Sequence, residues 1–265
     1  MKTYVMLFMG MVLLPSLAKA QDRVFNYTYQ SNVMSTKEQE LEAYNTFSLG
    51  KQDFYRGYQS KLEFETGIAR HLQASFYLIT ETATGYNLNQ DSALSSESSF
   101  AVANEWKYQL SDPAANAVGS ALYTEFELSR EAFSWENKII LDKKMGRSTL
   151  ALNLVGELES GKILIGKLLA RSRAFNAEVH AGYAYRIAEG WDLGLEARNI
   201  NSRSEGSWIA SNLFAGPMVC YYRDEFRANL TVMPQLHSFA GATRNGLDLD
   251  RFTKWESRLT FSFDL

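Results

Sequence analysis

Residues 148–159 read STLALNLVGELE, in which every second position from Leu150 to Leu158 is leucine or glycine. Glu157 and Glu159 occupy positions between them. Side chains of an extended strand point alternately to opposite faces. The stretch therefore predicts a strand with one apolar face and one charged face, as in a wall between lipid and a polar interior.

The same alternation recurs along the chain and predicts about twelve strands. Each is roughly ten residues long, which is the length a tilted strand needs to cross a bilayer. The predicted strands cover residues 39–50, 58–69, 71–81, 100–110, 118–129, 132–143, 148–159, 173–187, 191–200, 208–222, 225–233 and 252–265. The predicted fold is all-β, a transmembrane antiparallel up-and-down β-barrel over residues 39–265. A soluble β-sandwich also alternates, but its strands are usually shorter.

Connection lengths support the barrel. If the chain enters from the periplasm, the turns on that side fall at residues 69–71, 111–117, 144–147, 188–190 and 223–224 and are short. The opposite connections are mostly long and polar, with predicted loops at residues 82–99, 160–172, 201–207 and 234–251. Outer-membrane barrels have this asymmetry between short periplasmic turns and longer extracellular loops.

The N-terminus has the three parts of a secretory signal peptide. A basic start at Lys2 precedes an apolar run over residues 4–14, and Ala18 and Ala20 flank the expected cleavage position. We expect a signal peptide over residues 1–20 and a short N-terminal periplasmic segment over residues 21–38. The expected location is the bacterial outer membrane, with outer-membrane lipid as a partner.

The composition argues against several classes of partner and site. The net charge of −3 leaves no basic stripe to neutralise phosphates, so we expect no nucleic-acid partner. Cys220 is the only cysteine, so no intramolecular disulfide forms. The sequence has no glycine-rich phosphate loop, and we expect neither a cofactor nor a metal.

The polar faces of the predicted strands carry charges of both signs, which should line one lumen. The candidate lumen-lining residues are Glu63, Glu65, Glu105, Lys107, Glu125, Glu127, Glu136, Lys138, Glu157, Glu159, Glu178, His180, Glu196, Arg198, Arg227, Glu256 and Arg258. Two interpretations stay open: an ion-pair network that fills a narrow barrel, or a polar path for a small solute. Buried charges must pair or stay hydrated in either case.

The leading functional hypothesis is a passive pore or uptake route for a small solute. The alternative is a non-enzymatic structural or interaction barrel whose lumen is closed by ion pairs. A membrane-embedded lipid hydrolase is a weaker third hypothesis, because none of His71, His180 and His237 has a serine motif at meaningful spacing. We therefore expect no enzymatic activity and assign no catalytic residue.

The last predicted strand carries apolar residues at alternate positions up to Leu265. This resembles the C-terminal signal that barrel-assembly machinery recognises, although that signal usually ends in phenylalanine. The machinery is therefore an expected partner.

Several strand segments also resemble an uncharacterised family of Gram-negative outer-membrane barrels. They are EWKYQL at residues 105–110, ALYTE at 121–125, LALNLVGE at 150–157, GWDLGLEAR at 190–198, GP at 216–217 and ANLTVMPQ at 228–235. The similarity extends loosely to outer-membrane transporters near aromatic-degradation pathways. It implies a barrel and an outer-membrane address, and it carries no agreed activity or functional residues.

Overall fold

The computed structural model describes residues 23–86, 94–165, 168–204 and 206–265. The predicted signal peptide, residues 1–20, lies outside them. The strands are β1 (Gln39–Leu49), β2 (Tyr55–Ala69), β3 (Leu72–Tyr86), β4 (Leu94–Ser111), β5 (Gly119–Ser129), β6 (Ala132–Met145), β7 (Ser148–Ile165), β8 (Leu168–Ala188), β9 (Trp191–Ser204), β10 (Ser207–Arg223), β11 (Phe226–Ala240) and β12 (Trp255–Asp264).

These twelve strands form one closed barrel in which each pairs with its neighbours in the chain. β1 closes the barrel by pairing antiparallel with β12, with Glu40 opposite Asp264 and Leu49 opposite Trp255. A closed barrel satisfies backbone hydrogen bonds without leaving a sheet edge, which is why it can stand in lipid. The prediction of an all-β antiparallel barrel with about twelve strands is confirmed.

The outer wall is apolar and the inner wall is polar, the reverse of a water-soluble protein. Leu150 and Leu154 of β7 are 41% and 45% exposed, whereas Asn153 between them is fully buried. The alternation of residues 148–159 thus places leucine on the outer face and polar groups inside. Among the described residues, no helix has the length and apolar character needed to cross a bilayer.

Several strands run further than the sequence predicted. The predicted loop over residues 82–99 is mostly a hairpin, because β3 continues to Tyr86 and β4 begins at Leu94. Thr82 pairs with Ser98 in register, and their hydroxyl oxygens are 3.1 Å apart. The predicted loops over residues 160–172, 201–207 and 234–251 are shortened in the same way. Backbone pairing continues above the lipid, where outward side chains meet water and the apolar alternation ends.

The two ends of the barrel differ. Four of the turns at one end have only two residues, at 70–71, 146–147, 189–190 and 224–225. Gly146 and Gly190 supply the positive φ angles, 59° and 75°, that such tight turns need. The opposite end carries the long connection over residues 241–254, although the β5–β6, β7–β8 and β9–β10 connections at that end also have only two residues each. By the rule for bacterial barrels, the short-turn end faces the periplasm.

Candidate functional site: the lumen and its N-terminal plug

The lumen holds the chain's own N-terminal residues 23–34, which we call the N-terminal plug. Every residue from Arg23 to Ser31 is buried, and none of them belongs to a strand or a helix. The sequence predicted a periplasmic segment over residues 21–38. Of the described residues 23–38, the plug residues lie inside the barrel and residues 35–37 are exposed. Their position is explained by the polar groups of the wall, which take up backbone hydrogen bonds that an irregular segment cannot make to itself.

Glu196 of β9 is the main anchor of the plug. Its carboxylate accepts hydrogen bonds from the backbone N–H groups of Asn26, Tyr27 and Thr28 at 2.9, 2.8 and 2.9 Å. The hydroxyl of Thr231 donates a fourth bond at 2.7 Å. Charge-assisted bonds of this kind are about twice as strong as neutral ones. Glu196 therefore holds three consecutive plug residues and satisfies its own buried charge.

Three further wall side chains bind the plug backbone. Asn153 accepts the N–H of Tyr29 at 2.6 Å and donates its amide to the Tyr29 carbonyl at 2.9 Å. Asp142 accepts the N–H of Ser31 at 3.1 Å. Gln73 accepts the N–H of Met34 at 3.1 Å. The wall residues that bind the plug thus come from β3, β6, β7 and β9, so the plug crosses the whole lumen.

Arg23 joins the N-terminal end of the plug to β1. Its guanidinium forms an ion pair with Glu42 at 2.9 Å and lies 4.0 Å from Glu65. It also lies over the rings of Tyr29 and Tyr44, at 4.3 and 5.2 Å from their centroids. A buried guanidinium needs such partners, since losing them would leave an uncompensated charge. Arg23 therefore binds the plug electrostatically to the barrel wall.

Phe25 fills an apolar pocket in the wall. Its side chain is fully buried in one cluster with Val24, Ala184 and Cys220. The pocket depends on Gly182 of β8, where an added Cβ would lie 2.8 Å from the Phe25 ring. Contacts this short do not occur in native packing, so Gly182 leaves the space that Phe25 occupies.

Tyr27 lies against the charged side of the lumen. Its carbonyl is 3.1 Å from Nδ1 of His180, whose Nε2 is 2.7 Å from Glu178. The guanidinium groups of Arg198 and Arg258 lie 4.8 and 4.2 Å from the Tyr27 ring centroid. The plug therefore contacts both signs of charge in the wall.

The predicted lumen residues occupy three environments. The buried residues are Glu63, Glu65, Glu105, Lys107, Glu125, Lys138, His180, Glu196 and Arg227. The half-buried residues are Glu127, Glu136, Glu157, Glu178, Arg198, Glu256 and Arg258. Glu159 is exposed near the outer end of β7. That any of them contacts a passing solute stays a prediction.

Several of these charges pair with one another. The guanidinium of Arg198 forms ion pairs with the carboxylates of Glu178 and Glu256 at 3.2 and 2.9 Å. Lys138 pairs with Glu136 at 2.7 Å. Arg227 pairs with Glu40 and Glu42 at the periplasmic end. Glu157 instead accepts hydrogen bonds from Ser134 and Asn176. The lumen thus combines an ion-pair network with polar groups above the plug.

The loop over residues 241–254 covers part of the extracellular opening of the lumen. Phe252 packs against the cluster that contains Tyr27, Phe214 and Met233. The carbonyl of Asp248 accepts a hydrogen bond from Gln235 at 3.3 Å. On this side of the barrel, the plug and the loop therefore meet inside the lumen.

Lumen residues of two kinds were not predicted from the sequence. Glu40, Glu42 and Tyr44 alternate with the outward Leu41 and Ala43 of β1, so the rule that selected the other candidates would also have found them. The plug residues, in contrast, gave no signal, because an irregular segment has no periodicity.

One group of carboxylates has a spacing suited to a cation. Glu42, Glu63 and Glu65 bring ligand oxygens within 4.8 Å of one another. Arg23 of the plug supplies positive charge at this point through its ion pair with Glu42. The plug itself therefore offsets part of the negative charge of this acidic group.

Solved structures share the fold. The COG4313 outer membrane channel from Pseudomonas putida F1 is similar over 89% of this chain and 98% of its own, with 9% identity and a TM-score of 0.61. The NanC porin is similar over 85% and 100%, with 12% identity and a TM-score of 0.53. The translocator domain of the autotransporter NalP from Neisseria meningitidis is similar over 88% and 89%, with 8% identity and a TM-score of 0.56. At these identities the likeness shows the barrel fold alone.

No curated protein sequence matches this chain. The resemblance to an uncharacterised family is confirmed by a match over residues 17–162 and 170–265. The chain therefore belongs to the family of unknown function DUF6662.

Proposed function

We propose that this protein is an outer-membrane conduit for a small polar solute, closed in this structure by its own N-terminal plug. The proposal rests on one observation: Glu196 accepts hydrogen bonds from the three consecutive backbone N–H groups of residues 26–28. Among the described residues, no backbone–backbone hydrogen bond joins residues 23–34 to a strand. The plug can therefore leave while every strand pairing of the barrel stays intact.

The space that the plug occupies supports a conduit. Small barrels are filled by the side chains of their own strands, whereas wider ones enclose a passage. Here the wall surrounds a separate chain segment of residues 23–34, and its Gly182 leaves room for Phe25. Once the plug leaves, the polar groups of Asp142 and Asn153 that bind Ser31 and Tyr29 face the passage.

The proposal also includes how the protein is exported and assembled in the outer membrane. Residues 1–20 act as a cleavable signal peptide, and the barrel-assembly machinery recognises β12 through its alternate outward apolar residues. Passage is non-enzymatic in this proposal, and no residue has a catalytic role.

A sealed structural barrel is the second candidate. The ion pairs of Arg198 with Glu178 and Glu256 favour it, because they rigidify the lumen without any solute. The two candidates differ in one respect: a sealed barrel never conducts, with or without its plug.

Planar-bilayer conductance tests the proposal. The mature protein should show long closures with rare openings, because Glu196 holds the plug. Glu196→Gln should raise the open fraction roughly tenfold or more, since charge-assisted hydrogen bonds to the plug are replaced by weaker ones. Deletion of residues 23–34 should give long-lasting discrete steps. Glu189→Gln, in the exposed turn over residues 189–190, is the matched control and should behave as the unaltered protein.

The deletion variant decides between the two candidates. If it folds as a barrel by circular dichroism and shows no discrete ion steps, the conduit is wrong and the sealed barrel is right.

A further inference from the structure

The outer face of the barrel has a basic groove at its extracellular end. Arg130, Lys162 and Arg171 line a cavity of about 300 Å³, together with Phe133 and the neighbouring turn. All three basic residues are exposed. None of the ion pairs found among the described residues involves any of them. Glu131 also lines the cavity, so three cations and one carboxylate give the groove a net positive charge on a protein whose net charge is negative.

The strand register places these cations on the face that contacts lipid. Lys162 continues the outward row of β7 that begins at Leu150 and passes through Leu158. Arg171 lies on the same face of β8 as Phe175. Lys162 and Arg171 are direct partners across the β7–β8 pair. Like charges directly opposite each other destabilise a sheet unless an anion lies between them.

The height of the groove matches the headgroup layer of a bilayer. Aromatic side chains prefer the membrane–water interface. Phe133 lines the groove, and Trp135 and Phe175 lie on the outer face just below it. Arg171 is four residues beyond Phe175, or about 13 Å along the strand. With a tilt of about 40°, this is about 10 Å along the membrane normal. The cations therefore lie where the phosphates of lipids are found.

The groove also has an apolar side. Phe133 and Leu128 line it and are 44% and 58% exposed. An occupant must therefore be anionic at the end near Lys162 and Arg171 and apolar at the end near the hydrocarbon. A free anion would use only the first of these features, whereas a phosphorylated lipid would use both.

We propose that the groove between Arg130, Lys162 and Arg171 binds a phosphate group of a phosphorylated outer-leaflet lipid, whose acyl chains lie against Phe133 and Leu128. The phosphate relieves the repulsion between Lys162 and Arg171. This site is separate from the lumen, so its occupation does not depend on whether the barrel conducts.

Native mass spectrometry of the full mature protein in detergent tests the site. The probe is bisphosphorylated lipid A, titrated against the protein and compared with phosphatidylcholine and with inorganic phosphate. The triple variant Arg130→Gln, Lys162→Gln, Arg171→Gln should bind lipid A roughly a hundredfold more weakly, from the usual contribution of a basic residue near an anionic membrane surface. Lys162→Gln alone should weaken binding about fivefold.

The matched control removes three cations from the periplasmic end, as Arg70→Gln, Arg147→Gln, Arg223→Gln. It should bind lipid A as tightly as the unaltered protein. Equal binding by the two triple variants would overturn the proposal, whether both are tight or both are weak. Inorganic phosphate that binds as tightly as lipid A would also overturn it, because the site would then recognise a free anion. Tight binding of phosphatidylcholine would show that the charges have no role.

Discussion

Asn153 and Tyr29 form a reciprocal pair of hydrogen bonds: the N–H of Tyr29 donates to Oδ1 of Asn153 at 2.6 Å, and Nδ2 of Asn153 donates to the Tyr29 carbonyl at 2.9 Å. The pattern is that of two paired strands, with a side-chain amide in place of one backbone. A wall that binds the plug in this way can hold a segment that has no secondary structure of its own.

Replacing Asn153 should loosen the plug and leave the barrel intact. Asn153→Leu keeps the size of the side chain but leaves the buried N–H and carbonyl of Tyr29 unpaired, at a cost of roughly 1–3 kcal/mol for each group. Hydrogen exchange followed by mass spectrometry should show faster exchange of residues 26–31, with the strands unchanged. Asn116→Leu, at an exposed turn position, is the control and should leave exchange of the plug unaltered. Unchanged protection in Asn153→Leu would contradict the role of the amide.

Enlarging Gly182 should expel Phe25. In Gly182→Val the new side chain would overlap the Phe25 ring, and overpacking of this kind costs about 1–3 kcal/mol. We expect more frequent openings in planar bilayers. Adding Phe25→Ala to Gly182→Val should relieve the overlap, so that the thermal stability lost in the single variant returns. Gly156→Val is the control, because its Cβ would lie 3.7 Å from Phe175, an ordinary contact distance. Failure of Phe25→Ala to restore stability would show that the two sites are not in contact.

The single cysteine offers a covalent test of plug position. Val24 and Cys220 belong to one buried cluster, so Val24→Cys should form a disulfide with Cys220 under mild oxidation. The oxidised protein should stay closed in planar bilayers, and reduction should restore its openings. Val24→Cys combined with Cys220→Ser cannot form the bond and is the control. A folded Val24→Cys protein that does not cross-link would place the plug elsewhere.

Glu157 should set the ion preference of the open barrel. It lies above the plug and accepts hydrogen bonds from neutral groups of Ser134 and Asn176, so its charge attracts cations to the passage. In the background that lacks residues 23–34, Glu157→Gln should shift the reversal potential in a salt gradient towards anions. Glu225→Gln, in the exposed turn over residues 224–225, should have a smaller effect. Equal reversal potentials with and without Glu157 would remove this residue from the conducting path.

Much of the wall could be predicted from the sequence, and the errors had physical causes. The outward row of β7 and the inward Glu196 followed from the period-two rule. The same rule failed near the ends of β3 and β4, where Thr82 and Ser98 pair on the outward face although neither side chain is apolar. The position of residues 23–34 inside the lumen was not predicted, because a polar segment next to a signal peptide has no property that separates a periplasmic tail from a plug.

The sequence by itself determined the barrel, because the direction of each side chain in a strand depends only on its neighbours in the chain. Lipid outside and charge inside then decided which face of each strand points outward. Only the tertiary structure decided that the lumen is filled, since the contacts of the plug join residues far apart in the chain. Asn26 meets Glu196 170 positions later, and Ser31 meets Asp142 111 positions later. Those partners come together only when the barrel closes, so no local pattern can specify them.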